Sequence, residues 1–240
     1  TSLVLLQAQQ KLNENAAVMS PRYATVNPAA NAGLVEGMKG LFNPTDTVSR
    51  QFKNGMMGTG VLGFDEVNMS QSIKVHTTGS RAGTILVNGA VTTQGQSTIT
   101  LDGLTSNTTV TAGDVFTIAN VYAVNPQTRE STGSLQQFVV TAAQTASGGD
   151  MASMAISPAI YTSASALATV DSFPADNAAV TFLGSASTAY PQNLVYHKDA
   201  ITFATADLLM PQGVDMAARA NHNGISLRVV RQYDINNDRM

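Results

Sequence analysis

The sequence predicts an α+β domain interrupted by an all-β insertion. Helical segments with proline-marked starts are confined to residues 2–52. From about Ser70 to Ala186, short β-type runs alternate with turn residues at the spacing of a small barrel or sandwich. After Tyr190-Pro191 the texture changes again, and both flanks are too small to be comfortable domains alone. One domain, residues 1–69 with 189–240, carrying residues 70–188 as an inserted barrel, is therefore the economical arrangement. Such insertions are tolerated where chain ends lie together at a surface.

Taken in order, Ser2 to about Asn15 reads as a helix, because Ser2 can cap and Leu, Gln, Ala and Lys follow. Pro21 ends that pattern, and Tyr23–Val26 is a short strand. Asn27-Pro28 opens a second helix, with Asn27 capping the free amides and Pro28 preset at the first helical position, running to Lys39-Gly40. Asn43-Pro44 repeats the device for a helix through Phe52, closed by Asn54-Gly55. Phe64–Val67 returns to extended chain. Strands of the insertion are expected at 84–87, 97–101, 115–124, 136–142, 152–156 and 179–183. Between them stand Asn88-Gly89, Asp102-Gly103, Ala112-Gly113-Asp114, Asn125-Pro126, Gly148-Gly149 and Ser157-Pro158. Beyond the insertion, 193–200 can hold a helical turn, Ile201–Ala206 reads as a strand and Pro211–Asn223 as a loop. Ile225, Leu227 and Val229 alternate with Ser226 and Arg228, the pattern of a half-buried strand.

Only 12% of the 240 residues are charged, against about 25% in an ordinary soluble domain. A surface of neutral polar residues repels copies of itself weakly, which favours an assembly protein; a β-rich soluble domain with the same surface is the plain alternative. Net charge is −3, and between Arg81 and Lys198 the only base is Arg129. No basic stripe can form there to attract phosphates. The absence of Cys excludes disulfides, thiolate metal sites and thiol nucleophiles, and fits a reducing cytoplasm. No apolar run reaches about 18 residues, and Leu3–Leu6 is too short, and lacks the basic flank, for a secretory signal. Opening at Thr1 and stopping at Met240, the chain reads as a fragment.

Motifs that carry chemistry were weighed in turn. Gly58-Thr59-Gly60-Val61-Leu62-Gly63 matches a dinucleotide fingerprint, but a helix precedes it and extended chain follows, the reverse of what phosphate binding needs. The glycines read instead as a flexible crossing. Asp234, Asn236 and Asp238 alternate like the start of a calcium loop without its glycine or distal Glu, and read as a polar turn. His76, His197 and His222 lack metal-ligand spacing. His197-Lys198-Asp199 could imitate part of a proton relay, but no nucleophile motif accompanies it. Asp65 and Glu66 point to opposite faces of a strand and would not share a proton. Asn68-Met69-Ser70 and Asn107-Thr108-Thr109 fit the glycosylation pattern, which matters only in a secreted chain. The expectation is no catalytic residue, no cofactor and no metal site.

Several stretches in fixed order point to a family. They are Val110–Ala119 with Val121–Pro126, Thr132–Val140, Ile156–Ile160, Asn193–Ala200 and Gly224–Val230, with Asn27-Pro28, Phe42 and Gly63–Val67 ahead of them. This series resembles the major coat proteins of short-tailed Salmonella-type phages and their prophage relatives, over nearly the whole chain. The resemblance implies a Hong-Kong-97-type capsid fold carrying a six-stranded β-barrel insertion, with the amino-terminal arm, extended loop and spine helix upstream of Thr1 and a further strand beyond Met240. It implies a virion subunit that associates with copies of itself around packaged DNA. A scaffolding protein and a portal would be partners during assembly in the bacterial cytoplasm, with neither sequence-specific nucleic-acid binding nor membrane attachment. A tail or other virion β-module and a non-catalytic carbohydrate-binding module are the alternatives; the latter usually presents aromatic platforms, and this chain has no Trp and 6% aromatics.

Overall fold

Asn27 shows how local chemistry sets the first elements. Its side-chain oxygen accepts the Ala30 amide at 3.0 Å, capping a helix that starts on Pro28, as its sequence requires. In the computed structural model, which describes residues 2–38 and 58–239, that helix is α2 (Pro28–Met38). It follows α1 (Ser2–Glu14) and β1 (Arg22–Val26). The helix expected over 43–52 lies outside the described residues.

Next come β2 (Gly58–Val61) and β3 (Phe64–Met69), joined through Leu62 and Gly63, both at positive φ. The Gly58–Gly63 motif is thus a β-hairpin rather than a flexible crossing. Glycine at 60 and 63, with φ of +70° and +79°, is what the turn requires. β1 lies parallel to β3 and antiparallel to β14 (Leu194–His197), giving a four-stranded sheet ordered β14-β1-β3-β2. Leu5, Ala24, Val26, Leu34, Phe64 and Val67 form its core against the helices.

The intervening chain holds β4 (Val75–Thr77), β5 (Gly83–Val87), β6 (Gln96–Leu104), β7 (Thr109–Val110), β8 (Val115–Val124), β9 (Ser131–Val140), β10 (Gln144–Thr145), β11 (Met151–Ile160), β12 (Val180–Phe182) and β13 (Ala189–Pro191). Six strands form one sheet ordered β12-β8-β9-β11-β6-β5. Its two outer strands meet. Leu86 bridges Ala179, and Val87 donates to Ala178 and accepts from Asn177 at 3.0 and 2.9 Å. The closed sheet encloses its own core, centred on Phe116, Phe138, Leu101, Ile118, Met151, Met154 and Ile160, all 3% exposed or less. Register puts Phe182 opposite Phe116 and Phe116 opposite Phe138. The three rings form a cross-strand row with centroids 5.3 and 5.6 Å apart.

Several expectations give way here. Ser157-Pro158 does not end a strand: β11 runs on to Ile160, because the proline sits where the ladder to β6 is interrupted between Ala155 and Ile160. The helical turn expected over 193–200 is mostly β14, and only Lys198–Ala200 coil into a 3₁₀ turn. Ile201–Ala206 is irregular rather than a strand. Pro211–Asn223 is not all loop, since β15 (Met216–His222) pairs along its length with β16 (Ile225–Arg231). Asn223 and Gly224, at φ of 49° and 81°, make the two-residue turn. β16 is not half-buried: Leu227 and Val229 are 69% and 60% exposed. Near the amino end, Leu3, Val4 and Leu6 face solvent while Leu5 is buried.

Among the described residues 44% are in strands or bridges and 12% are helical. The fold is mostly β, with less helix than an α+β label suggests. Residues 1–198 form one compact unit and 199–240 a second, built on the β15–β16 hairpin. No described helix is long and apolar enough to cross a membrane.

Candidate functional site

Asp114 opens β8 just after Gly113, whose φ of +100° turns the chain into the strand. The turn buries the carboxylate at 1% exposure. There it is surrounded by donors from three segments. The Thr111 and Gly79 amides donate to Oδ2 at 3.0 and 3.1 Å. His76 Nε2, on β4, lies 2.9 Å from Oδ1, and Arg81 Nη1 lies 3.5 Å from Oδ2. Burial pushes the Asp114 carboxyl up, but the hydrogen bonds from Thr111, His76 and Gly79 and the charge of Arg81 outweigh it. The group is held below its ordinary value and stays ionised.

Arg81 is fixed at its other end. Nη2 donates to the carbonyls of Leu183 and Gly184 at 2.8 and 2.9 Å, and its guanidinium stands 5.0 Å above the Phe182 ring. Two glycines make the approach possible. A Cβ at Gly79 would lie 2.1 Å from the Thr109 carbonyl oxygen, and one at Gly113 would press on the His76 ring at 3.2 Å. Beside the cluster is an open cleft of about 250 Å³, lined by His76, Thr78, Asp114, Leu183, Tyr190 and Gln192 among others.

A histidine on a buried carboxylate is half of a nucleophile-activating relay. The hydroxyls lining this cleft are committed elsewhere. Thr78 Oγ1 donates to Ser185 at 2.7 Å, and the Tyr190 hydroxyl accepts the Ser185 amide at 2.9 Å. Both contacts order the backbone around Ser185.

The three histidines occupy β4, β14 and β15. His197 Nε2, on the edge strand β14, lies 3.3 Å from the Ser20 carbonyl. Among the described residues no group of three or more His, Asp or Glu is placed to hold a metal. Asp234 accepts from the Asn236 amide and the Asn237 side chain at 3.0 and 2.6 Å, which makes 234–239 a self-satisfied polar turn. Asp65 accepts the Arg22 amide at 2.7 Å and the Ser20 hydroxyl at 3.3 Å.

Sequence reasoning missed the Asp114 cluster and a second buried cation. Arg22, 1% exposed, donates to the Val18 and Ala17 carbonyls and to Asn13 at 2.7, 2.6 and 2.7 Å, tying the end of α1 to β1. The one signal in the sequence is Gly113-Asp114 directly ahead of a strong strand, a pair that by itself marks only a turn.

The buried charges of this closed β-module hold its own segments together. Residues 4–240 match the family model described as P22 coat protein, gene protein 5. The chain therefore belongs to the P22 coat protein family, and its role is that of a structural subunit of a phage capsid. Among solved structures, the CUS-3 coat protein I-domain is 29% identical, with a TM-score of 0.31, over 42% of this chain and 96% of that one. No curated protein matches.

Proposed function

We propose that the chain acts as a Hong-Kong-97-type shell subunit in which residues 70–188 are an inserted barrel and 1–69 with 189–240 belong to the body that tiles the shell. The observation that carries this reading is the existence of two separate apolar cores. One lies under the β14-β1-β3-β2 sheet and the other inside the closed sheet. The chain passes between them through paired strands: β4 leads in, β13 leads out, and the two are hydrogen-bonded partners. Entry and exit side by side are what an insertion requires. Weak surface charge and the exposed apolar side chains of β15 and β16 favour contact with further copies. The role is geometric, with no catalytic, cofactor or metal site. A scaffolding protein and a portal would be partners while shells form in the host cytoplasm.

Cryo-electron microscopy of the complete gene product, expressed with its scaffolding protein, tests the reading. Closed shells with a discrete density for 70–188 on each subunit are expected. Small discrete oligomers under the same conditions would replace it with the tail-module alternative.

A further inference from the structure

We propose that the Asp114 carboxylate is a latch that holds the strands by which the chain enters and leaves the barrel, and so sets how the barrel is carried. The inference rests on reading 70–188 as an insertion. β4 and β13 pair only with each other, at Val75–Pro191, His76–Tyr190 and Thr77–Ala189, and belong to neither larger sheet. An isolated two-stranded ribbon is marginal in water. Its order must come from what it touches.

Two sets of contacts, beside a hydrogen bond from Thr111 Oγ1 to the Thr77 carbonyl at 3.2 Å, supply that order. Thr78 and Thr188 clasp the strands just inside the barrel. The Thr78 amide donates to the Thr188 carbonyl, and the Thr188 amide donates back to Thr78 Oγ1, both at 3.0 Å. This clasp binds the two strands to each other without fixing them to the closed sheet. The second set does fix them. His76 projects from the ribbon to Asp114, which is rooted at the start of a core strand between Thr111 and Phe116. The same carboxylate takes the Gly79 amide just past the ribbon and faces Arg81. Arg81 in turn grips Leu183 and Gly184, on the chain leading to β13. Incoming and outgoing chain thus converge on one buried anion. Closure of the barrel has contacts of its own, the Leu86–Ala179 bridge, the Val87 hydrogen bonds and the apolar core; of the cluster, Arg81 alone spans the same seam, through Leu183 and Gly184. Loss of the anion should therefore loosen the ribbon and spare the barrel.

Hydrogen–deuterium exchange on the whole chain separates the possibilities. In Asp114→Asn, which keeps the shape and removes the charge, peptides covering 74–80 and 185–192 should exchange at least tenfold faster. Peptides within 115–124 and 131–140 should stay within about twofold of the parent. His76→Ala alters only a ribbon side chain and should move the same peptides in the same direction, by a smaller factor. Unchanged ribbon exchange in both variants, or barrel strands loosening as much as the ribbon, overturns the latch. A urea series on the parent chain tests the underlying reading separately. If β1 and β3 peptides always open together with β8 and β9, the insertion reading fails and the latch with it.

Discussion

Asp114 and Phe138 are both buried at 1% exposure or less, and they are held in place by opposite physics. Phe138 sits between strands against Phe116 and gains from leaving water. Truncating it to Ala should cost about 3–5 kcal/mol, measured by urea denaturation of the intact chain. Asp114 loses hydration on burial and recovers it from its donors, so its contribution depends on pH. Its folded value lies below the unfolded one, near 3.9 for an ordinary Asp. The stabilisation is present above the unfolded value and is lost as pH falls through the folded one. The groups facing it are His76 from β4, Arg81 from the segment after β4 and, across the cleft, Tyr190 from β13. Ribbon peptides should therefore gain exchange, corrected for the intrinsic pH dependence of amides, only below about pH 4. Asp114→Asn should remove that step. Persistence of the step in the variant would assign it to another carboxylate.

At the scale of elements, turn chemistry proved more informative than apolar alternation. Asn223-Gly224 is the pair that a two-residue hairpin turn favours, because both central residues need positive φ. The misreading of 211–223 as loop came from its small and polar residues, which pack poorly but still complete a ladder with β16. Alternation in β16 correctly marks a strand and says nothing about what covers it. Within its unit the apolar side chains are left in water. Gly224→Val places a β-branched residue at φ near +81°, which should cost about 1–3 kcal/mol. Amides along 216–231 should lose protection while those of β8 and β9 do not. Equal protection would mean that the turn does not limit the hairpin. The barrel strands were legible for a related reason. β8 buries Phe116 and Ile118 in alternation and, after a register shift, Val121 and Ala123, between glycine and proline turns.

For the whole molecule, separate cores predict separate folding. Residues 70–188 enclose an apolar set from Ile85 to Val180 without help from the four-stranded sheet. Excised, this segment should give a β-type circular dichroism spectrum and one cooperative thermal transition. A helical spectrum, or a melt without cooperativity, would mean that the barrel depends on the body. Away from the connecting strands, a polar contact also runs between the two, from the Ser134 hydroxyl on β9 to Glu14 at the end of α1 at 3.1 Å. A part-buried hydrogen bond to a carboxylate contributes about 1.5–3 kcal/mol, no more than one large apolar side chain buried in either core.

Most local elements of this coat protein follow from neighbouring residues, those of 193–223 excepted. A capping asparagine, a proline at a helix start, alternating apolar residues and glycine at turns each act through their immediate neighbours, and the first two helix and strand positions follow from them. Even the family could be recognised, because the ordered series of short stretches survives as text. The sites where charge is buried are a different matter. His76, Arg81 and Asp114 carry no spacing that links them, and Arg22 looks like any surface base. They meet only because sheet register brings the start of β8 beneath the incoming ribbon and places Phe182 beside Arg81. A buried carboxylate is tolerated only where its donors are already assembled around it. That assembly is made by contacts distant along the chain, and only the tertiary structure decides it.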